Sequence, residues 1–190
     1  MKIESIERGN YYHIYNRGNN GADVFFEHEN YLHFLRLYDK YMDVISETFA
    51  WCLMRNHFHI LIYFKEVREM GTNAEIKPGV YKDPSRQLSH LFNSYTQAVN
   101  KRYNRTGSIF ERTFERKRID SEDYLRKVIY YIHNNPVAHG AVQEIKDYPW
   151  SSYKAIISQE TSILNKEQVL DLFGDKENFI AYHNQKDGGG

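Results

Sequence analysis

The chain has 190 residues, which suits one domain, and 25 basic against 25 acidic side chains, which leaves no whole-chain basic footprint for nucleic acid. With 41% apolar and 26% charged residues it is neither collagenous, low-complexity nor strongly disordered. Apolar runs such as Ile60–Phe64 fall far short of the roughly 18 residues of a membrane span, the charged start MKIESIERGN lacks the apolar centre of a secretory signal, and the lone Cys52 can close no internal disulfide, so a cytoplasmic protein with no membrane partner is expected.

In chain order, Tyr11–Asn16 is aromatic and β-branched and predicts a strand, ended by the turn-forming run Arg17-Gly18-Asn19-Asn20-Gly21. From His28 to about Ile45, apolar residues at Tyr31, Phe34, Leu35, Tyr38, Tyr41, Met42 and Ile45 recur in steps of three and four, the period of an amphipathic helix. Thr48–Met54 and His57–Phe64 are strand-like runs separated only by Arg55-Asn56, which predicts an antiparallel hairpin whose strands are both central in the sheet. Residues 65–83 read as an irregular, mobile connection. A second helix is predicted from Pro84-Ser85 to about Tyr103, followed by a break at Asn104–Ser108 and a basic strand or extended loop over Ile109–Ile119. Asp120 or Ser121 caps a third helix, and Pro136 is expected to stop it by biasing Asn135 away from helical geometry. The tail predicts a short helix near Lys166–Phe173 and a glycine end at Gly188–Gly190.

Charge is unevenly distributed. Between Arg86 and Arg118 eight basic residues face two acidic ones, a net +6, whereas beyond Gly140 the balance is −3. Such a basic middle could meet a polyanion, or be no more than a solvated loop. The sharpest local feature is His57-Phe58-His59, because a period of two puts both imidazoles on one face of a strand. Hydrogen-bonded strand histidines would look the same. In the third helix Leu125, Val128, Ile129 and Ile132 form the apolar stripe, and Tyr131 and Asn135, neighbours at i, i+4, lie together to one side of it. Packing at the edge of that stripe is the alternative. Tyr130 points about 100° away from Tyr131, His133 and His139 read as packing or surface residues, and Cys52 as a buried strand residue.

In combination and in this order, LMRNHFHILIY, KRYNRTGSIFER and DYLRKVIYYIHNNPVAHG resemble the single-tyrosine transposases of the HUH (His-hydrophobic-His) class, over roughly residues 10–155. The following DYPWSSY is similar to the branch associated with repetitive extragenic palindromes (REP). The resemblance implies an α+β, ferredoxin- or RRM-like HUH-endonuclease fold: a central antiparallel sheet with packed helices in a domain at 1–155. Beyond it, residues 156–190 read as an acidic extension packed on that domain, with a disordered end. It also implies an enzyme that cuts and rejoins single-stranded DNA, recognises DNA hairpins and passes through a covalent 5′-phosphotyrosine. Tyr131 would be the nucleophile, and His57, His59 and Asn135 the ligands of Mg²⁺ or Mn²⁺. Two neutral imidazoles and an amide leave the cation its full charge to polarise a phosphodiester, and a phenol, ordinarily ionising near pH 10, needs such help to attack. Phosphate and backbone contacts are expected from Arg17, Asn19, Lys101, Arg102, Arg105, Arg112, Arg116, Lys117 and Arg118, with base stacking on Tyr103, Phe110 and Phe114. The partner would be single-stranded or hairpin DNA, with nucleoid association when bound; homodimer and monomer both remain open. Competing readings are a non-catalytic nucleic-acid-binding module on the same fold and a metal-dependent hydrolase that uses water.

Overall fold

A computed structural model describes residues 5–69, 83–158 and 162–185. Most of the expected mobile connection at 65–83, and the expected disordered end at Gly188–Gly190, lie outside the described residues. Strands β1 (Asn10–Arg17), β2 (Ser46–Met54), β3 (His57–Phe64) and β4 (Glu115–Ile119) form one antiparallel sheet in the order β2-β3-β1-β4. Helices α1 (His28–Met42) and α2 (Pro84–Arg102) join β1 to β2 and β3 to β4, giving the β-α-β-β-α-β order of a ferredoxin-like α+β unit. After β4 come α3 (Glu122–Ala138) and the shorter α4 (Tyr153–Ile157), α5 (Lys166–Phe173) and α6 (Lys176–Asn184).

Both faces of the sheet are covered. On one, Phe58, Ile60, Ile62 and Phe64 of β3 join Tyr12 and Ile14 of β1 and pack with Phe34 of α1 and Leu91 and Tyr95 of α2. On the other, Leu61 joins Ala50 and Cys52 of β2 beneath Leu125, Ile129 and Ile132 of α3, with Tyr153, Val169 and Phe179 completing the cluster. A strand buried on both faces needs apolar residues at nearly every position, which is why HFHILIYF does not alternate. His57 and His59 are the polar interruptions, and both fall on the α3 face.

Two expectations are corrected. Only β3 of the predicted hairpin is central; β2 ends the named sheet. Its outer edge is nevertheless paired, because Leu53 N–H donates to the Trp150 carbonyl at 2.9 Å, Ser152 N–H to the Trp51 carbonyl at 2.9 Å and Asn165 N–H to the Thr48 carbonyl at 2.9 Å. The DYPWSSY segment and the start of α5 thus cover an edge that would otherwise be open to another chain. The second correction is Pro136, which lies inside α3 rather than ending it. The ring removes one ladder bond, but it sits in the last turn and is itself buried, and Leu125, Ile129 and Ile132 anchor the helix whatever that bond contributes. At the other end Ser121 is the cap, its side chain accepting from Tyr124 N–H, with Glu122 and Asp123 in the first turn.

Candidate active site

The site grows from the Arg55-Asn56 turn. Met54 and His57 are the last paired residues on either side of it, so the turn fixes where β3 begins. Gly18 N–H donates to the Asn56 carbonyl at 2.8 Å, and Val24 N–H and Phe25 N–H to the Arg55 carbonyl at 2.8 and 3.0 Å. The Asn56 side-chain oxygen then stands 2.7 Å from His57 Nδ1. Alternation brings His59 alongside, with the two imidazole centroids 5.3 Å apart.

From α3, Asn135 Oδ1 reaches within 2.8 Å of His57 Nε2. One turn earlier, the Tyr131 ring packs edge-on against His59 at 5.4 Å between centroids. Asn135 is buried, whereas Tyr131 is 49% exposed. A continuous helix through Pro136 is what keeps these two residues one turn apart on the same side. His133 lies on another face of α3, fully buried, its Nδ1 2.9 Å from His183 Nε2 and its Nε2 2.7 Å from Ser152 Oγ. His139 caps the helix and stands beside His57 at 5.1 Å. Cys52 is buried, and burial pushes its thiol up, away from nucleophilic character.

Burial lowers the His57 pKa, against the raising effect of its Asn135 contact, and desolvation together with the neighbouring His13, His57 and His139 pushes His59 down to about 2. Both imidazoles are therefore neutral near pH 7. A neutral imidazole carries one N–H, yet His57 faces a side-chain oxygen at each nitrogen. With the amides as placed, one of its two contacts sets lone pair against lone pair, which either a turned amide offering its NH2 or a bound cation relieves. Among the described residues no group of three or more His, Cys, Asp and Glu forms a metal cage. An amide oxygen can serve as a third donor, and Asn135 Oδ1 stands at the Nε2 side of His57 while Asn56 Oδ1 takes the Nδ1 side. Two imidazole nitrogens and an amide oxygen suit a borderline or hard divalent ion with open positions for a phosphate.

The residues expected to contact DNA do not form one surface. In β4, Lys117 lies opposite His13 on the α3 face, its ammonium 5.0 Å from the Tyr124 ring, while Arg116 and Arg118 take the other face by alternation. Arg116 stacks on Phe114 at 4.2 Å, Arg118 pairs with Glu7 at 3.2 Å, and Arg102 pairs with Glu27. Arg17 pairs with Glu111 at 2.6 Å. Asn19 is exposed, its N–H donating to the Ile109 carbonyl. Lys101 and Arg112 are exposed, and Arg105 sits over the Phe26 ring at 5.5 Å. The stacking expectation is corrected: Phe110 and Phe114 are core residues, and Tyr103 is partly buried against the same cluster with its hydroxyl on Glu27.

Sequence reasoning missed His13 and Tyr15. Both lie on the α3 face of β1, with Tyr15 directly opposite His59. His13 Nε2 is 3.0 Å from His59 Nδ1, and the Tyr15 ring lies 4.9 Å from His13 and 5.6 Å from His59. Their period-two spacing was readable, but not that β1 pairs with β3.

A protein of Haemophilus influenzae that carries the provisional name REP-associated tyrosine transposase is 30% identical over 115 residues, 60% of this chain and 62% of that protein. The solved structure of a REP-associated tyrosine transposase bound to a REP hairpin matches with a TM-score of 0.65 at 19% identity, over 86% of this chain and 88% of that one. In sequence and in fold, this chain is similar to the REP-associated tyrosine transposases. The chain spans less than two thirds of the length of its curated relative. A bacterial tRNA(His) guanylyltransferase-like protein in complex with GTP matches less well, with a TM-score of 0.45 at 11% identity over 77% of this chain and 73% of that one. No family model matches. The α+β architecture of that solved structure is the one described above.

Proposed function

We propose that the chain is a metal-dependent, single-stranded DNA endonuclease and strand transferase that recognises DNA hairpins and forms a covalent 5′-phosphotyrosine through Tyr131. One observation carries the reading: within a single chain, Tyr131 packs on His59 while Asn135 touches the neutral His57 beside it. A second copy is not needed to bring the phenol to the histidines, so a monomer suffices for this chemistry.

His57, His59 and Asn135 would hold Mg²⁺ or Mn²⁺, which when bound polarises a phosphodiester and favours the phenolate over the phenol. Tyr131 is half exposed while its ring packs edge-on against His59, so a strand can approach the residue from outside. Its oxygen forms a bond to phosphorus, the bond from phosphorus to the 3′ oxygen breaks, and the phenolic proton is lost as the 3′ hydroxyl gains one. One phosphodiester is exchanged for another, so the strand end stays activated for rejoining. Lys117, on the same face as His13, supplies positive charge near the strand. The hairpin named with the structural relative makes hairpin DNA the first substrate to test.

The test is a labelled single-stranded oligonucleotide carrying a hairpin, incubated with the protein and Mn²⁺ and resolved by denaturing electrophoresis. Wild type is expected to give a protein–DNA adduct, Tyr131→Phe none, and His57→Ala no cleavage but retained binding. Cleavage by Tyr131→Phe at near the wild-type rate would instead mean that water is the nucleophile, and binding by wild type with neither adduct nor cleavage would leave a nucleic-acid-binding module.

A further inference from the structure

The contact between His13 and His59 has no counterpart among the expected ligands. Both side chains are buried, and His13 Nε2 stands 3.0 Å from His59 Nδ1. The rings are held from three sides. Tyr15 lies against both, Tyr131 closes edge-on over both at 5.9 and 5.4 Å, and His57 stands beside His59. Neither ring can turn away without breaking this packing.

Two neutral imidazoles in contact share one proton, and it can point only one of two ways. If His13 donated from Nε2, His59 would accept at Nδ1 and carry its own proton on Nε2, leaving it no lone pair for a cation. If His59 donates from Nδ1, its Nε2 lone pair is free and His13 carries its proton on Nδ1. We infer that His13 is a positioning residue: it accepts the Nδ1 proton of His59, fixes the tautomer that exposes the Nε2 lone pair, and locks the ring against Tyr131. His13 does not itself ligate, in keeping with the absence of a three-histidine cage among the described residues. A ligand imidazole whose second nitrogen donates to a fixed acceptor is both better oriented and more basic. This role rests on the metal reading of the preceding subsection.

The test begins on the whole, metal-free chain labelled with ¹⁵N-histidine, read near neutral pH by long-range ¹H–¹⁵N correlation, with His59 assigned by its loss in His59→Gln. The expected result is a His59 protonated on Nδ1 and bare on Nε2; the opposite tautomer overturns the inference. Mn²⁺ uptake is then followed by electron paramagnetic resonance of the free ion, with circular dichroism checking the fold of each variant. His13→Ala is expected to weaken uptake about 10- to 100-fold, whereas His13→Gln, whose side-chain oxygen can accept the same proton, stays within a few-fold of wild type. Equal uptake by wild type and folded His13→Ala overturns the role of His13 alone, while no uptake by wild type overturns the metal reading and this role with it.

Discussion

Gly18 shows how far one backbone atom reaches in this protein. A Cβ at this position would lie 1.8 Å from the Ala22 carbonyl oxygen, so no side chain fits without moving the chain. The requirement is spatial rather than conformational, since Gly18 has φ −65°. Its N–H holds the Asn56 carbonyl, and Asn56 in turn meets His57, so the Arg17–Gly21 turn secures the histidine strand from behind. Gly18→Ala is therefore expected to destabilise by about 2 kcal/mol or more, as overpacking against backbone does, and to weaken Mn²⁺ uptake by displacing Asn56. Urea melts and the uptake assay check both; unchanged values would show that the turn yields without disturbing the strand.

Among elements, the attachment of α6 to α3 makes a pH prediction. His183 Nδ1 lies 2.8 Å from the Phe179 carbonyl, which can only accept, so His183 donates there and its Nε2 accepts from His133 Nδ1–H. His133 Nε2 then accepts from Ser152 Oγ–H, and Ser152 Oγ accepts from Trp51 N–H at 2.9 Å. Every group is satisfied while both rings are neutral, and an added proton sets donor against donor. Burial pushes His183 down to about 4, against the raising effect of its bond to Phe179. An unfolded His183 takes up its proton near pH 6.5, so between about 6.5 and 4 the unfolded chain binds more protons than the folded one. The contribution of His183 is whole above that window and is lost as pH falls through it, by at most roughly 3 kcal/mol. Thermal melts should show Tm falling with pH across this range, and His183→Gln should flatten the slope; a slope unchanged in that variant would assign the effect to other histidines.

At the level of the whole molecule, charge predicts how nucleic acid binding responds to salt. The formal charge is zero, and of the basic residues expected to meet DNA, Arg17, Arg102 and Arg118 are already paired with carboxylates. Binding of single-stranded DNA should weaken with salt less steeply than the count of basic residues suggests. Replacing Lys101 or Arg112 by Ala should reduce the slope of log affinity against log salt by about 0.7 each, and replacing Arg118 by less, measured by filter binding over a salt series. By itself the sequence determined the elements and the local neighbours: periods of two and of 3.6 placed His57 with His59 and Tyr131 with Asn135, because side-chain spacing within one element is a local property of the backbone. It misjudged Pro136, since core packing of α3 outweighs one lost ladder bond, and it placed β2 centrally, since the run Phe49–Met54 is apolar whether a strand or an irregular segment lies beside it. Only the tertiary structure decided that His13 and Tyr15 face His59, that His133 bonds His183 across 50 residues of chain, and that alternation in β4 divides the basic cluster between two faces of the sheet. Each depends on which strand pairs with which and on what covers each face, and that outcome is fixed by the joint burial of residues far apart in the chain.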